Sequence, residues 1–312
     1  MKRVALAARP VKHSYLAGFS IAAFALVATT ACGKKTDEVQ SDSVVTPTSV
    51  STNVDSGTVT PTVPVNVTFA EAESVYKERR YADATAMFDS YVQRKPENAY
   101  GHYMLGLSAW KAGELDRARS AFEKSLELDP KHVKTLLNLS RVLIEQGKPK
   151  EALTHVTSAV QLDSASGDVH RMMGRVRTEL RQPNEAVESY RVALSLEPGD
   201  VWSMNNMALV LIHQGRFDEA LPPLARAVQL DSSAAVFHNN LGIALERTGH
   251  YTMASESYRK ALSVDSSYTK ASASLTRVEQ RIEDSSVTPI NLAELAATFD
   301  REIRAAVVVR QP

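Results

Sequence analysis

The sequence of 312 residues contains a single cysteine, Cys32, and only 13 glycines and 13 prolines. One thiol cannot form an intramolecular disulfide or a cysteine cluster that holds a metal ion. Few glycines and prolines, together with 44% hydrophobic residues, favour a helical protein. Lysine and arginine total 36, as do aspartate and glutamate, so the formal net charge is zero. Because nucleic-acid binders need a large basic surface, this balance argues against nucleic acid as a partner.

The sequence also lacks the short motifs of common catalytic and nucleotide-binding sites, since HExxH, GxSxG, GxxxxGK[ST] and GxGxxG do not occur. His102, His170 and His238 recur 68 residues apart. Metal ligands must lie within a few ångströms of one ion, so this spacing predicts helix packing and not a metal site. We therefore predict no catalytic activity, no cofactor, no metal and no small-molecule substrate.

The N-terminal segment, residues 1–31, has a basic start and an uncharged run from Ser14 to Ala31, which predicts a secretory signal peptide. Cys32 directly follows small residues, so the segment resembles a bacterial lipoprotein signal. In that family the cysteine is lipidated and becomes the first mature residue. A neutral next residue such as Gly33 accompanies transport to the outer membrane of a diderm bacterium. Two alternatives stay open, namely an uncleaved membrane-spanning helix and secretion without a lipid.

Residues 32–64 are rich in serine, threonine, valine and proline and show no apolar period. Prolines break helices and inner strands, and such a composition buries too little apolar surface to fold. The segment is predicted to be a disordered tether.

Rows of 34 residues from Val65 align without insertion or deletion through Tyr268. One column holds alanine in all six rows: Ala84, Ala118, Ala152, Ala186, Ala220 and Ala254. Four residues later each row has a bulky apolar residue: Phe88, Phe122, Val156, Tyr190, Leu224 and Tyr258. Offsets of four, then three to a mostly small residue, keep these positions on one face of a helix. Glycines at 113, 147, 215 and 249 lie where a left-handed residue ends a first helix.

This pattern, with apolar-glycine pairs such as Leu105-Gly106 and Leu241-Gly242 in the first helix, resembles the tetratricopeptide-repeat (TPR) family. It covers residues 65–268 as six repeats, 65–98, 99–132, 133–166, 167–200, 201–234 and 235–268. Two rows depart from the pattern at the turn glycine: the first row has Arg79 at this position and the fourth row has Arg181. Pro222-Pro223 lies inside a second helix, where we expect a kink or a looser helix.

Two further helices follow the repeats. Residues 269–283 are predicted to form a capping helix, which solvates the end of the array. Within the tail, residues 284–312, the apolar residues from Leu292 to Val307 predict an amphipathic helix over 291–309. This helix is expected either to fold back onto the last hairpin or to dock a partner or membrane.

In the TPR family the first helices line a concave groove that binds peptides. The resemblance implies that asparagines there hold a peptide backbone, and amides can both donate to and accept from it. Arginines suit a carboxylate and aromatic rings suit an apolar anchor. We expect these side chains to face solvent and to bind a ligand. The alternative is that they form an ordinary solvent-exposed face without a binding role. The predicted peptide-binding residues are Tyr100, Tyr103, Asn138, Arg141, Arg171, Arg175, Asn205, Asn206, Asn239 and Asn240.

The sequence thus predicts an all-α TPR superhelical solenoid of six helix-turn-helix repeats plus a C-terminal capping helix. Its predicted function is that of a non-catalytic scaffold, lipid-anchored to a membrane of the cell envelope, which binds protein or peptide partners and helps assemble or position an envelope complex. It resembles TPR lipoproteins that escort pilus secretins or recruit envelope hydrolases. The alternatives are a regulatory subunit of an envelope enzyme, such as a peptidoglycan synthase or glycosyltransferase, and an enzyme in its own right.

Overall fold

The computed structural model describes residues 66–282 and 284–310, with side chains through residue 306 in the last helix. This part of the chain is all-helical, which confirms the predicted fold class. The predicted signal peptide, Cys32 and the tether lie outside the described residues. None of the described helices is long and apolar enough to cross a bilayer.

Twelve of the described helices form six hairpins with a period of 34 residues. The first helices are α1 (Phe69–Lys77), α3 (Ala99–Lys111), α5 (Val133–Glu145), α7 (Gly167–Glu179), α9 (Val201–His213) and α11 (Ala235–Arg247). The second helices are α2 (Tyr81–Arg94), α4 (Leu115–Leu128), α6 (Pro149–Leu162), α8 (Pro183–Leu196), α10 (Phe217–Leu230) and α12 (Tyr251–Val264). They are followed by α13 (Thr269–Val278) and α14 (Leu292–Arg310).

Within a hairpin, a small residue of the first helix packs against a large residue of the second. The alanine column is fully buried in all six hairpins. A Cβ placed on Gly174 would lie 2.6 Å from the ring of Tyr190, and one on Gly242 would lie 2.6 Å from that of Tyr258. Where serine or alanine replaces this glycine, the side chain opposite it on the second helix is mostly smaller than an aromatic ring, with Val156 opposite Ser140 and Leu224 opposite Ala208. Complementary volumes therefore set the close approach of the two helices.

The turn inside each hairpin needs a residue in the left-handed region. Gly113, Gly147, Gly215 and Gly249 have φ between 70° and 87°. Arg79 and Arg181 occupy the same place in the first and fourth hairpins and take φ of 63° and 57°. The arginines thus keep the turn geometry, at the steric cost of a Cβ in this region.

The three histidines of the recurring column hold the loops that join successive hairpins. Nε2 of His102 bonds to the carbonyl oxygen of Pro96 at 2.9 Å. Nε2 of His170 and of His238 bond to the carbonyl oxygens of Ser164 and Ser232, each at 3.0 Å. Each ring donates a hydrogen bond to a loop carbonyl six residues earlier, and this structural role explains why histidine recurs at this position.

Two features of the C-terminal part of the array bear on what the sequence predicts. Helix α10 runs from Phe217 to Leu230, so Pro222 and Pro223 inside it do not end it, and the kink or looser helix expected there stays a prediction. Helix α14 folds back, but it packs on α10 and α8 of the fifth and fourth hairpins and not on the last hairpin. Its apolar stripe contacts a surface that two second helices create together. The segment before it is held by His250, whose Nε2 donates to the carbonyl oxygen of Thr288 at 3.0 Å.

The first helices form the inner face of the array. Each contacts the first helix of the next hairpin, whereas no two of the second helices α2 to α12 contact each other. The first helices are therefore more closely spaced and lie on the inside of the curvature. All the predicted peptide-binding residues lie on these first helices, and the exposed surface of α1, α3, α5, α7, α9 and α11 is called the inner face.

Candidate binding surface on the inner face

The inner face begins with aromatic rings in the first two hairpins. Tyr100 is half exposed and stacks on Tyr103 with ring centroids 5.5 Å apart. Phe69 packs against the other side of the cluster, 5.5 Å from Tyr100, and the ring of His132 lies 4.9 Å from that of Tyr103. Only Tyr100 presents a large apolar surface to solvent, so it is the residue here that suits an incoming apolar group.

A hydrogen-bonded chain leads from this cluster to the third hairpin. Asn138 donates from Nδ2 to the hydroxyl of Tyr103 at 3.3 Å, and its Oδ1 accepts from Nη1 of Arg141 at 2.7 Å. Asn138 and Tyr103 are both buried. Burial lowers the pKa of the Arg141 guanidinium, and the charges of Arg175 and Arg171 lower it further. Arg141 is therefore fixed in place by Asn138 while its positive charge has no nearby carboxylate bonded to it.

Arg171 differs from its two arginine neighbours because carboxylates of its own chain already bind it. It donates to Asp168 and, from Nη1 at 2.6 Å, to Oδ2 of Asp200. Burial lowers the pKa of Arg171, but the bonds to Asp200 and the charges around it raise that pKa overall. Asp200 also caps α9 through the backbone N–H of Trp202. Arg171 thus ties the fourth hairpin to the fifth through carboxylates of its own chain, whereas the sequence predicts that it binds a carboxylate of the ligand.

Arg175 lies one turn further along α7 and pairs with no carboxylate among the described residues. It borders a cavity of about 200 Å³ between α7 and α9, together with Asn206, Tyr190 and His213. Burial raises the pKa of the Tyr190 hydroxyl to about 12, so this group stays protonated at neutral pH. Tyr190 is buried and Glu179 also lines the cavity, so the donors that the cavity offers to an anion are the guanidinium of Arg175 and the amide of Asn206.

The four asparagines of the fifth and sixth hairpins bind one another. Asn239 donates from Nδ2 to Oδ1 of Asn240 at 3.2 Å, and Asn240 donates to Oδ1 of Asn205 at 2.8 Å. Asn205 in turn donates to Oδ1 of Asn206 at 3.3 Å. This amide chain, defined as Asn239, Asn240, Asn205 and Asn206, crosses the interface between α9 and α11. It connects two hairpins by polar contacts and stabilises their relative position.

Burial corrects part of the site prediction. We expected the asparagines to face solvent, but Asn205, Asn239 and Asn240 are only 2–4% exposed. Of the amide chain, Asn206 alone is partly exposed, and its carbonyl oxygen is already occupied by Asn205. Asn240 has both of its amide groups bonded within the chain. A ligand backbone that reaches the inner face therefore meets the free amide N–H groups of Asn206 and not Asn240.

Sequence reasoning missed Asp200 and Asp168, which neutralise Arg171. Asp168 lies three residues before Arg171 on α7, whereas Asp200 caps α9 of the next hairpin. The signal that could have indicated the bond between Arg171 and Asp200 is the position of Asp200 immediately before α9. No group of three or more histidine, cysteine, aspartate or glutamate side chains in residues 66–282 and 284–310 is placed to hold a metal ion.

Comparison with known proteins supports the repeat assignment. Models of the tetratricopeptide repeat match residues 69–133, 109–176 and 199–267, which confirms the predicted repeats. Human tetratricopeptide repeat protein 7B is 34% identical over 93 residues, which are 30% of this chain and 11% of that protein. The chain therefore matches only about a tenth of the length of this relative.

Two solved structures share the fold. The Cut9–Hcn1 hetero-tetramer of the APC/C superposes with a TM-score of 0.58 and 18% identity, over 77% of this chain and 46% of that one. The structure of pilF from Pseudomonas aeruginosa gives a TM-score of 0.54 and 19% identity, over 69% of this chain and 93% of that one. Arrays of this kind are generally non-catalytic scaffolds for protein interaction.

Proposed function

We propose that this tetratricopeptide-repeat protein is a scaffold of the cell envelope, anchored to a membrane through a lipid on Cys32, and that it binds extended peptides or partner proteins along its inner face. Its partner brings an acidic group to the third and fourth hairpins and an apolar side chain to Tyr100. Through this contact the scaffold assembles or positions an envelope complex.

The observation that carries the peptide-binding part is the pair of arginines Arg141 and Arg175. They occupy equivalent positions in neighbouring hairpins, and neither is bonded to a carboxylate among the described residues. Arg141 is half-buried and held by Asn138, while the charges of Arg175 and Arg171 act against its own. The charge of Asp168 offsets only part of this repulsion, so an anion that binds between Arg141 and Arg175 would stabilise the array. A peptide carboxylate is the chemical group that suits two adjacent guanidinium groups.

The surrounding residues suit an extended peptide more than a free anion. Tyr100 offers an exposed ring on one side of the arginines, and Asn206 offers amide N–H groups on the other. A single small anion would use only the guanidinium groups. A peptide that runs along the inner face can use all three kinds of contact, which lie on the first helices of consecutive hairpins.

The test begins by capturing the partner in native membranes. A photoreactive phenylalanine derivative replaces Tyr100 in the full chain, and in a matched control it replaces Leu162, which is exposed at the end of a second helix. We expect crosslinks from position 100 and not from position 162. Crosslinks from position 162 alone would show that partners bind the outer surface and would refute the proposal.

The affinity of the captured partner is then measured for Arg141→Gln and Arg175→Gln, with Arg259→Gln as an exposed arginine control on α12. Each inner-face substitution should weaken binding by roughly 10- to 150-fold, because a charge-assisted hydrogen bond contributes roughly 1.5–3 kcal/mol. The same substitutions should flatten the salt dependence of binding, whereas Arg259→Gln should change neither quantity. Equal effects of all three variants would mean that the arginines act only through net charge.

The membrane part of the proposal is tested separately. Cells that express the wild-type chain are grown with labelled palmitate, and Cys32→Ser serves as the control. We expect label on the wild-type chain only, and altered processing of the variant, because the cysteine thiol carries the acyl anchor. Failure of the wild-type chain to take up label would refute the lipid anchor while leaving the inner-face prediction intact.

A further inference from the structure

Trp202 is a second exposed aromatic residue on the inner face, three hairpins away from Tyr100. The side chain of Trp202 is 52% exposed and that of Tyr100 is 50% exposed. Each is the second residue of its helix, Trp202 of α9 and Tyr100 of α3. No other large apolar residue of the described first helices is classed as exposed. The inner face therefore offers two places where an apolar side chain of a ligand can pack, and both lie in the same column of the repeat.

Both rings rest on aromatic neighbours that hold them in place. The ring of Trp202 lies 5.1 Å from that of Phe237, which is fully buried, and the two planes meet at 70°. Tyr100 stacks on Tyr103. Asp200 accepts a hydrogen bond from the backbone N–H of Trp202 and so fixes the start of α9. Rings that are already held lose little freedom when a ligand packs on their open faces, which favours binding.

The two helices between these rings present positive charge to a ligand. In the column of the two rings, α5 carries Lys134 and α7 carries Asp168. Asp168 is already bound by Arg171. Lys134, Arg141 and Arg175 pair with no carboxylate among the described residues. A ligand that runs from one ring to the other therefore meets unpaired positive charge midway, and a carboxylate complements it.

The arginines can reach a ligand that lies along the column of the rings. Arg141 and Arg175 follow this column by two helical turns, which is about 10 Å along each helix axis. Side chains of a helix lean towards its N-terminal end, and Nη1 of Arg141 indeed bonds to Asn138, one turn nearer that end. The long side chains of arginine and glutamate together bridge the remaining distance.

The spacing of the first helices sets the spacing of the ligand residues. Helices α3, α5, α7 and α9 contact one another in this order. Packed helices lie roughly 8–10 Å apart, so Tyr100 and Trp202 are separated by roughly 24–30 Å. An extended chain covers this distance in about seven to nine residues, and its side chains alternate between two faces. Two ligand residues that both face the array must therefore be about eight positions apart, because only an even spacing keeps them on one face.

We propose that the ligand of the inner face is an extended segment with two apolar residues eight positions apart and a glutamate midway between them. The two apolar side chains pack on Tyr100 and Trp202. The glutamate, four positions from each, faces the array above α5 and α7, and its carboxylate binds between Arg141 and Arg175. This inference rests on the proposed function, to which it adds Trp202 as a binding residue and the order of the contacts along the peptide.

The probe is a labelled peptide of thirteen residues, made of serine and glutamine except at three places. It has phenylalanine at its third and eleventh positions and glutamate at its seventh. A comparison peptide of the same composition has the second phenylalanine at the tenth position, where this side chain points away from the array. Binding to the full chain is measured by fluorescence anisotropy. The first peptide should bind about tenfold more tightly, because the comparison peptide lacks one of the two apolar contacts.

Variants of the chain test whether Trp202 makes the second contact. Trp202→Ala should weaken the first peptide by about tenfold and remove the difference between the two peptides, whereas Trp202→Phe keeps a ring and should retain that difference. Leu196→Ala is the matched control, since Leu196 is an exposed apolar residue at the end of a second helix, and it should change neither affinity. Replacing each phenylalanine of the peptide by serine in turn gives the direction of binding, because only the one that packs on Trp202 loses its effect in Trp202→Ala.

The proposal is overturned if the first peptide binds no more tightly than the comparison peptide, or if Trp202→Ala leaves its affinity unchanged. If binding still falls in Tyr100→Ala and Arg141→Gln, the inner face binds peptides with another spacing and the proposed function stands. Binding that is indifferent to these two substitutions as well would refute both. Should Trp202→Ala fail to fold, as judged by circular dichroism, the comparison of the two peptides on the wild-type chain still decides.

Discussion

The contact between Gly174 and Tyr190 predicts that Gly174→Ala destabilises the array. The new Cβ would lie 2.6 Å from Cε1 and 2.8 Å from Cδ1 of the Tyr190 ring. That ring is 1% exposed and packed between the two helices, so it must shift to make room for the methyl group. In a free helix, alanine is more stable than glycine by about 0.8–1 kcal/mol. Overpacking costs about 1–3 kcal/mol, and a contact as short as 2.6 Å should lie in the upper part of that range, so we expect a net loss of roughly 1–2 kcal/mol.

The fifth hairpin indicates which second substitution relieves the clash. There, Ala208 stands in the glycine column and Leu224 in the tyrosine column, and both are fully buried. Tyr190→Leu should therefore accommodate the Cβ at position 174. In a double-mutant cycle, the loss for Gly174→Ala with Tyr190→Leu should be smaller than the sum of the two single losses by at least ~1 kcal/mol.

Urea unfolding followed by circular dichroism measures these free energies, and hydrogen exchange of α7 and α8 locates the loss, because hairpins contact mainly their neighbours. Gly199→Ala is the matched control, since a Cβ there meets nothing within 4 Å. It should change the free energy of unfolding by less than ~0.5 kcal/mol. The reasoning is refuted if Gly174→Ala is as stable as wild type, or if the losses of the two single variants simply add.

Three other predictions follow from the fold. Arg79→Gly and Arg181→Gly should each raise the free energy of unfolding by up to ~1 kcal/mol, because glycine removes the Cβ from a left-handed residue; lower urea midpoints would contradict this. Ala186→Leu should cost about 1–3 kcal/mol, since the alanine is fully buried between helices, and an unchanged melting temperature would contradict that packing. Burial raises the pKa of Glu246, but hydrogen bonds from Arg277 and Tyr258 lower it more, so that it lies below the ordinary value of 4.5. The ion pair therefore stabilises the array above about pH 4.5, and this stabilisation is lost as the pH falls through the lower pKa of the folded state. Arg277→Met should lower the free energy of unfolding at pH 7 and have no effect in acid. An equal effect at both pH values would be evidence against this ion pair.

Much of the fold could be predicted from the sequence because its causes lie within one hairpin. The distances between Ala186, Tyr190 and the turn at Arg181 are set by the geometry of a single helix and one tight turn. Six repetitions made the period unmistakable. The places of α1 to α12 followed from it, since each hairpin packs on the next in the same way.

The candidate site could be predicted only in part. The sequence placed Tyr100, Arg141 and Arg175 on the first helices, which form the inner face. It could not tell that Arg171 is already bound by Asp200, because that bond crosses from one hairpin to the next. Nor could it tell that Asn240 is buried, since an amide at that column can face solvent or the amide of a neighbouring hairpin with equal local geometry.

The position of α14 likewise depends partly on the sequence and partly on the tertiary structure. Its apolar stripe, with Phe299 and Ile303, is a property of the sequence alone and predicts that the helix packs on something. The stripe matches any apolar groove of suitable width, so it does not select the partner surface. The tertiary structure decided that the surface is the one between α8 and α10, because only the assembled fourth and fifth hairpins bring α8, α10 and Arg226 into the arrangement that binds this helix.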